Sequence, residues 1–257
     1  MSRIAAVILC GGKGSRMMAG GEVTHKPLLE IGGVPSTKFV IEKLERSELN
    51  FEQIIVVAPT ERVSEYENAL IGLNCEIVAQ KLPLGTGNAV YETLDFLAST
   101  IEHVYVSFGT QPLIRNETIE GVFELHQKNG FGFSLATTIM DNPYAPLVRD
   151  GNGLVIGSLE THLDGIEMPE RGETNVGAYW ASKTALQNVL IRLHQELYIM
   201  VEKKYNTISG ELGYPNEMVK GCLESKIQVE GVPIAEEIEM MGIKTPETLA
   251  KIREIIG

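Results

Sequence analysis

The apolar run Ile4-Ala-Ala-Val-Ile-Leu9 ends abruptly in Cys10-Gly11-Gly12-Lys13-Gly14-Ser15-Arg16-Met17. Six apolar residues, several β-branched, read as a strand buried on both faces. Three glycines then let the backbone turn sharply and bring amide N–H groups close to an anion. Lys13 and Arg16 add positive charge, and a guanidinium can hold phosphate oxygens bidentately. The spacing is not the dinucleotide-binding GxGxxG, because Met17 stands at the third glycine. It is not a P-loop either, because no Gly-Lys-Ser/Thr closes it.

Strand-like runs recur at Gln53–Ala58, Glu76–Ala79 and His103–Ser107. Between them, Thr37–Leu49 and Thr86–Ala98 carry apolar residues at helical spacing, and Asn116 is a candidate N-cap for a further helix. Alternating strand and helix predicts a doubly wound, mostly parallel, Rossmann-like α/β sheet with helices on both faces. The second half is mixed and predicts a small substrate-facing lobe. Strands are expected at Phe133–Ile139, Leu147–Arg149, Leu154–Ile156 and Thr174–Trp180, and a long helix at Lys183–Val201. Thr245-Pro246-Glu247 opens a last helix with a capping side chain and a proline in the first turn. One continuous domain over residues 1–257 is expected, with a nucleotide-binding half near 1–130 and a sugar-binding half near 131–257. In open sheets of this kind ligands sit beyond the carboxyl ends of the strands.

A net charge of −12 disfavours a nucleic-acid partner. No apolar run is long enough for a membrane span. Cys10, Cys75 and Cys222 form no CxxC pair, which points to reduced thiols and a cytoplasmic location. The histidines at 25, 103, 126, 162 and 194 lack metal-ligand spacing, and no Ser–His–Asp or Cys–His nucleophile is evident.

A second basic segment, His25-Lys26-Pro27-Leu28, follows the glycine turn, and Gln80 precedes Leu84-Gly85-Thr86-Gly87. In this order the segments resemble the sugar-phosphate nucleotidyltransferases, most closely the uridylyltransferase domain of bacterial N-acetylglucosamine-1-phosphate uridylyltransferases. The resemblance continues through residues 144–160, 173–179 and 242–250.

The resemblance implies roles for particular residues. Amides at Leu9, Gly11, Gly12 and Gly14 would cradle a nucleoside triphosphate, and Arg16 would stabilise the leaving pyrophosphate. Lys26 would face the α-phosphate and the sugar phosphate. Gln80 and Gly85 would read a pyrimidine edge, with Thr86 against the nucleoside, while Glu160 and Asn175 would hydrogen-bond sugar hydroxyls. UTP is the first candidate donor, CTP the second because a flipped Gln amide reads either pyrimidine, and GTP the third. The implied acceptor is a sugar 1-phosphate or similar phosphorylated small molecule. The oligomeric state is not indicated.

The chain departs from this family at three places. Phe108-Gly109-Thr110-Gln111-Pro112-Leu113 carries Thr110 where the family has a magnesium-binding Asp. Gly242-Ile243-Lys244 carries Lys244 where the second metal ligand is an Asn. Tyr144-Ala145-Pro146 replaces Tyr-Gly-Arg near the sugar, and proline removes a donor and fixes φ. Mg²⁺ would thus act, if at all, without its usual protein ligands. Thr for Asp and Lys for Asn together change the local charge by +2, the charge of one Mg²⁺, so the Lys244 ammonium is expected to contact phosphates. Two rival readings follow. One is a catalytically silent nucleotide- or sugar-nucleotide-binding homologue. The other is a dinucleotide-dependent oxidoreductase, which Ala58-Pro59-Thr60 at the end of the second strand disfavours for want of a ribose-binding acid.

Overall fold

Alternate residues of the first strand, β1 (Ile4–Leu9), enter different cores. Ala5, Val7 and Leu9 pack on one side of the sheet, and Ile4, Ala6 and Ile8 on the other. Both faces are therefore covered, and each fully buried aliphatic side chain contributes roughly 1.5–3 kcal/mol. This computed structural model describes residues 2–12, 24–159 and 169–257.

Around β1 the chain lays down β2 (Phe51–Pro59), β3 (Glu76–Gln80), β4 (His103–Phe108), β5 (Phe133–Asp141), β6 (Arg171–Ser182) and β7 (Val229–Val232). They form a seven-stranded sheet in the order β7-β5-β6-β4-β1-β2-β3. Among the described strands of this sheet only β6 runs antiparallel to its neighbours, β4 and β5. The mostly parallel α/β sheet is the expected one. Trp180 on β6 is fully buried among Tyr105, Phe123 and Phe51, and its Nε1 donates to Ile119 O at 3.0 Å.

The described helices are α1 (Ser36–Glu45), α2 (Val63–Ala69), α3 (Thr86–Tyr91), α4 (Asn116–Asn129), α5 (Lys183–Leu197), α6 (Pro215–Glu224) and α7 (Pro246–Ile256). Three differ from expectation for local reasons. α3 is short because Thr93 Oγ1 donates back to Val90 O, and the Gln53 side chain takes Phe96 O and Ala98 N from the following turns. α5 stops at Leu197, whose carbonyl accepts from Asn206 N at 2.7 Å, and the chain turns into a hairpin pairing Tyr198–Ile199 with Lys204–Tyr205. Arg115, not Asn116, occupies the N-cap position of α4, without a side-chain capping bond, while the Asn116 amide donates to Lys43 O. The start of α7 is as expected: Thr245 Oγ1 accepts from Thr248 N, and Pro246 fills the first turn.

Two features aim the segments beyond the strands. A register shift between Asn175 and Tyr179 breaks the β5–β6 ladder. It holds Gly177 at φ +90, with Gln111 Nε2 donating to Val176 O at 2.8 Å. The buried Glu239 carboxylate accepts from Arg115 N and Nε, Thr118 Oγ1 and Glu236 N, fixing the chain just before Gly242-Ile243-Lys244.

Candidate functional site

Beyond the carboxyl ends of β1 and β3 lies a cavity of about 740 Å³. Leu9, Gly11 and Gly12 line it from the turn after β1, Gln80 from the end of β3, and Gly85 and Thr86 from the start of α3. These are six of the residues singled out for nucleotide binding. Gly14, Arg16 and Glu160, singled out with them, lie outside the described residues.

The glycines are needed for space as well as for conformation. A methyl group on Gly11 would meet Gln80 Oε1 at 2.6 Å. Gly85 sits at φ +97, and a methyl there would collide with Leu212 O. That closeness reflects a zipper in which Leu212 N donates to Leu84 O at 2.8 Å and Gly87 N to Leu212 O at 2.7 Å. Tyr214 N donates to Thr86 Oγ1 at 2.8 Å, so the Thr86 hydroxyl holds the cavity wall together.

A further part of the lining was not foreseen. It consists of Asn206, Thr207, Ile208, Ser209 and Glu211, with Asn216, Glu217 and Lys220 of α6. Ser158 Oγ donates to Asn216 Oδ1 at 2.6 Å across this wall. The available signal was Pro215, which marks a helix start after the polar stretch Asn206–Glu211. What folds that stretch onto the glycine turn is a contact far away in sequence.

Thr110, Asn175 and Lys244 do not line this cavity. They form a second cluster beyond β4 and β6. Thr110 O accepts from Ile243 N at 2.8 Å, which places Lys244 beside the end of β4. Lys244 Nζ stands over the Tyr144 ring. Ala145 N donates to Thr174 Oγ1 at 3.0 Å, and Asn175 Nδ2 reaches Ala145 O at 3.5 Å. Tyr179 OH donates to Asn175 Oδ1 at 2.7 Å. All three departures from the family pattern therefore meet in one place.

Lys26 lies between the two regions in a short turn, Lys26–Leu28. Gly109 N donates to Leu9 O, Ser36 Oγ to Gly109 O and Thr37 Oγ1 to Pro27 O, tying that turn to the ends of β1 and β4. His25 contributes a link that spacing did not suggest: Nε2 lies 3.0 Å from Gly12 O and Nδ1 2.8 Å from Tyr66 OH. Burial lowers its pKa and so favours the neutral ring. Burial also pushes the Cys10 thiol up to about 12, so it is no activated nucleophile.

The donor set at the two altered positions does not fit a protein-held magnesium ion. Lys244 offers an ammonium, the Thr110 carbonyl is already engaged, and neither side chain is a carboxylate or amide. Among the described residues no three His, Cys, Asp or Glu side chains gather into a metal site. No described helix is long and apolar enough to cross a membrane.

An open, mostly parallel sheet with a glycine turn at its first strand and a cavity beyond it is a doubly wound α/β fold built to take a ligand at the carboxyl ends of its strands. Residues 6–151 match the MobA-like NTP transferase domain, and the chain belongs to that family. Among curated proteins it is similar to the bifunctional protein GlmU of Oceanobacillus iheyensis, 36% identical over 190 residues, covering 72% of this chain and 40% of that protein. GlmU of a Synechococcus species is 30% identical over 256 residues, covering 98% and 52%. The chain thus spans about half the length of the curated relatives it matches. Among solved structures it shares its fold with a putative glucose-1-phosphate thymidylyltransferase of Bacillus anthracis in complex with a sucrose. The TM-score is 0.75 at 17% identity, covering 98% of this chain and 95% of that one. It also shares its fold with the 4-diphosphocytidyl-2C-methyl-D-erythritol synthase of Anaerococcus prevotii, at TM-score 0.64, 14% identity and 99% and 98% coverage.

Proposed function

We propose that residues 1–257 form one nucleotidyltransferase unit that takes a nucleoside triphosphate, UTP first, and transfers the nucleoside monophosphate to a phosphorylated sugar-like acceptor. The observation that carries this reading is the meeting of Leu9, Gly11, Gly12, Gln80, Gly85 and Thr86 around one cavity at the carboxyl ends of parallel strands. An acceptor phosphate oxygen attacks the α-phosphorus in line. The new P–O bond forms as the bond to the bridging α–β oxygen breaks, and pyrophosphate leaves with that electron pair. Such a transfer needs positioning and charge neutralisation rather than a covalent intermediate. By the resemblance, Arg16 is assigned to the leaving pyrophosphate, Lys26 to the α-phosphate, and Glu160 and Asn175 to the acceptor hydroxyls. Lys244 supplies a fixed positive charge beside Thr110, where relatives place a metal ion. The free thiols of Cys10, Cys75 and Cys222 support a reducing, cytoplasmic setting.

A pyrophosphate-release assay over four nucleoside triphosphates and a panel of sugar 1-phosphates tests the reaction. Turnover with any pair supports it. Tight binding without turnover supports instead a silent nucleotide-binding homologue, the alternative raised by Thr110 and Lys244 standing at the positions of the family's metal ligands.

A further inference from the structure

Gln80 is held by more than its own loop. Its Nε2 donates to Gly85 O at 3.1 Å and to Asn88 Oδ1 at 3.0 Å. Asn88 Nδ2 donates to Tyr205 OH at 3.3 Å, and that hydroxyl lies 2.8 Å from His194 Nδ1. Gln80, Asn88 and Tyr205 are each more than nine-tenths buried. His194 is stacked between Tyr91, at 4.2 Å and 9°, and Tyr198, at 4.8 Å and 17°.

The relay has one consistent direction. Gly85 O can only accept, so the Gln80 NH₂ must point toward it. Asn88 then presents Oδ1 to Gln80 and its NH₂ to Tyr205, and the Tyr205 proton goes to an accepting His194 Nδ1. Burial lowers the His194 pKa and so favours the neutral ring, whose Nε2–H tautomer accepts at Nδ1. The remaining atom, Gln80 Oε1, faces Gly11 at the cavity wall. The amide flip that would let a glutamine read either pyrimidine is thus opposed at both bonds of Gln80 Nε2, and the bonds from Asn88 to Tyr205 and from Tyr205 to His194 keep Asn88 from turning with it.

We propose that Asn88, Tyr205 and His194 are positioning residues that lock Gln80 with its carbonyl oxygen toward the base. The site thereby selects a base edge carrying a ring N–H, as in uracil or thymine, over cytosine, whose ring N3 accepts. This rests on the nucleotide-binding reading above. Tyr205 lies on the hairpin that leads into Asn206–Ser209, and His194 on α5, so the same contacts tie base choice to the part of the cavity lined by that stretch.

The test is calorimetric titration of UTP and CTP against wild type, Tyr205→Phe and His194→Phe, with melting temperatures measured alongside. Both substitutions keep an aromatic ring and remove a relay atom. Wild type is expected to bind UTP more tightly than CTP. Each variant is expected to lower the UTP-to-CTP affinity ratio about five- to tenfold, the scale of one hydrogen bond. A ratio unchanged in both variants, or both affinities falling equally with the melting temperature, overturns the relay and leaves the nucleotide reading standing. A wild-type preference for CTP overturns the assigned orientation. Wild-type heat with neither nucleotide overturns the uridylate reading itself, and the relay with it.

Discussion

Lys244 Nζ stands 4.8 Å from the centroid of the Tyr144 ring. The two residues are far apart in the chain, and both belong to segments that depart from the family pattern. The ring face is the negative end of the aromatic quadrupole, so it holds the ammonium in place at about 0.5–2 kcal/mol. A cation fixed in this way, beside Thr110, is a stationary charge at the position where the family resemblance implies a metal ligand.

The first prediction concerns that charge. UTP is expected to bind wild type with nearly the same affinity with and without Mg²⁺, and Lys244→Ala is expected to weaken binding in both conditions. The double substitution Thr110→Asp with Lys244→Asn is expected to make binding Mg²⁺-dependent, by about tenfold or more. Calorimetry over these conditions checks it. Equal affinities of wild type and Lys244→Ala throughout would remove Lys244 from the site.

Gly11→Ala tests the glycine turn. The added methyl would lie 2.6 Å from Gln80 Oε1, so either the turn or the amide must shift. Overpacking of this kind costs about 1–3 kcal/mol, and here it falls directly on the atom proposed to read the base. UTP affinity is expected to drop by more than tenfold with little change in circular dichroism. Undiminished binding would place the nucleotide elsewhere.

The buried histidines set the acid limit of stability. Burial, helped by neighbouring His103, pulls His126 down from 6.5 to about 3. Between those values the unfolded chain binds a proton that the folded chain refuses, so stability falls as pH falls through that window. His25 and His103 are also lowered, chiefly by burial, and add to the same slope. Melting temperatures from pH 7 down to 4 are expected to decline steadily, with a shallower decline in His126→Gln. A flat profile in wild type would contradict the neutral assignment.

Trp180 is the single tryptophan of the chain and is fully buried in the sheet. Trp180→Ala is expected to cost about 3–5 kcal/mol, because both its packing and the bond to Ile119 O are lost. Trp180→Phe is expected to cost less and to keep a cooperative transition. Urea denaturation followed by circular dichroism measures both.

Much of the fold was legible because its causes are local. Ile4–Leu9 is apolar at every position and stops at a glycine pair, which specifies a doubly buried strand and a tight turn without reference to the rest of the chain. Thr245-Pro246 starts a helix through its own cap. Gly11 was singled out from the glycine turn after a strand, whereas Gln80, Gly85 and Thr86 were singled out only through the resemblance carried by the segment around Gln80, and all four line the one cavity.

Other features depended on groups that meet only after folding. The end of α5 is decided by Asn206 N reaching Leu197 O, which no helical period foretells. Thr86 was legible as a loop residue, but its bond to Tyr214 N needs the 212–214 segment alongside. Asn88, Tyr205 and His194 carry no local pattern at all. A hydrogen bond between residues 88 and 205 exists only because two distant pieces of chain share one desolvated wall. Hydrophobic period, glycine and proline act over a few residues and are written in order. The pairing of buried polar groups is imposed by desolvation, and desolvation is a property of the packed whole.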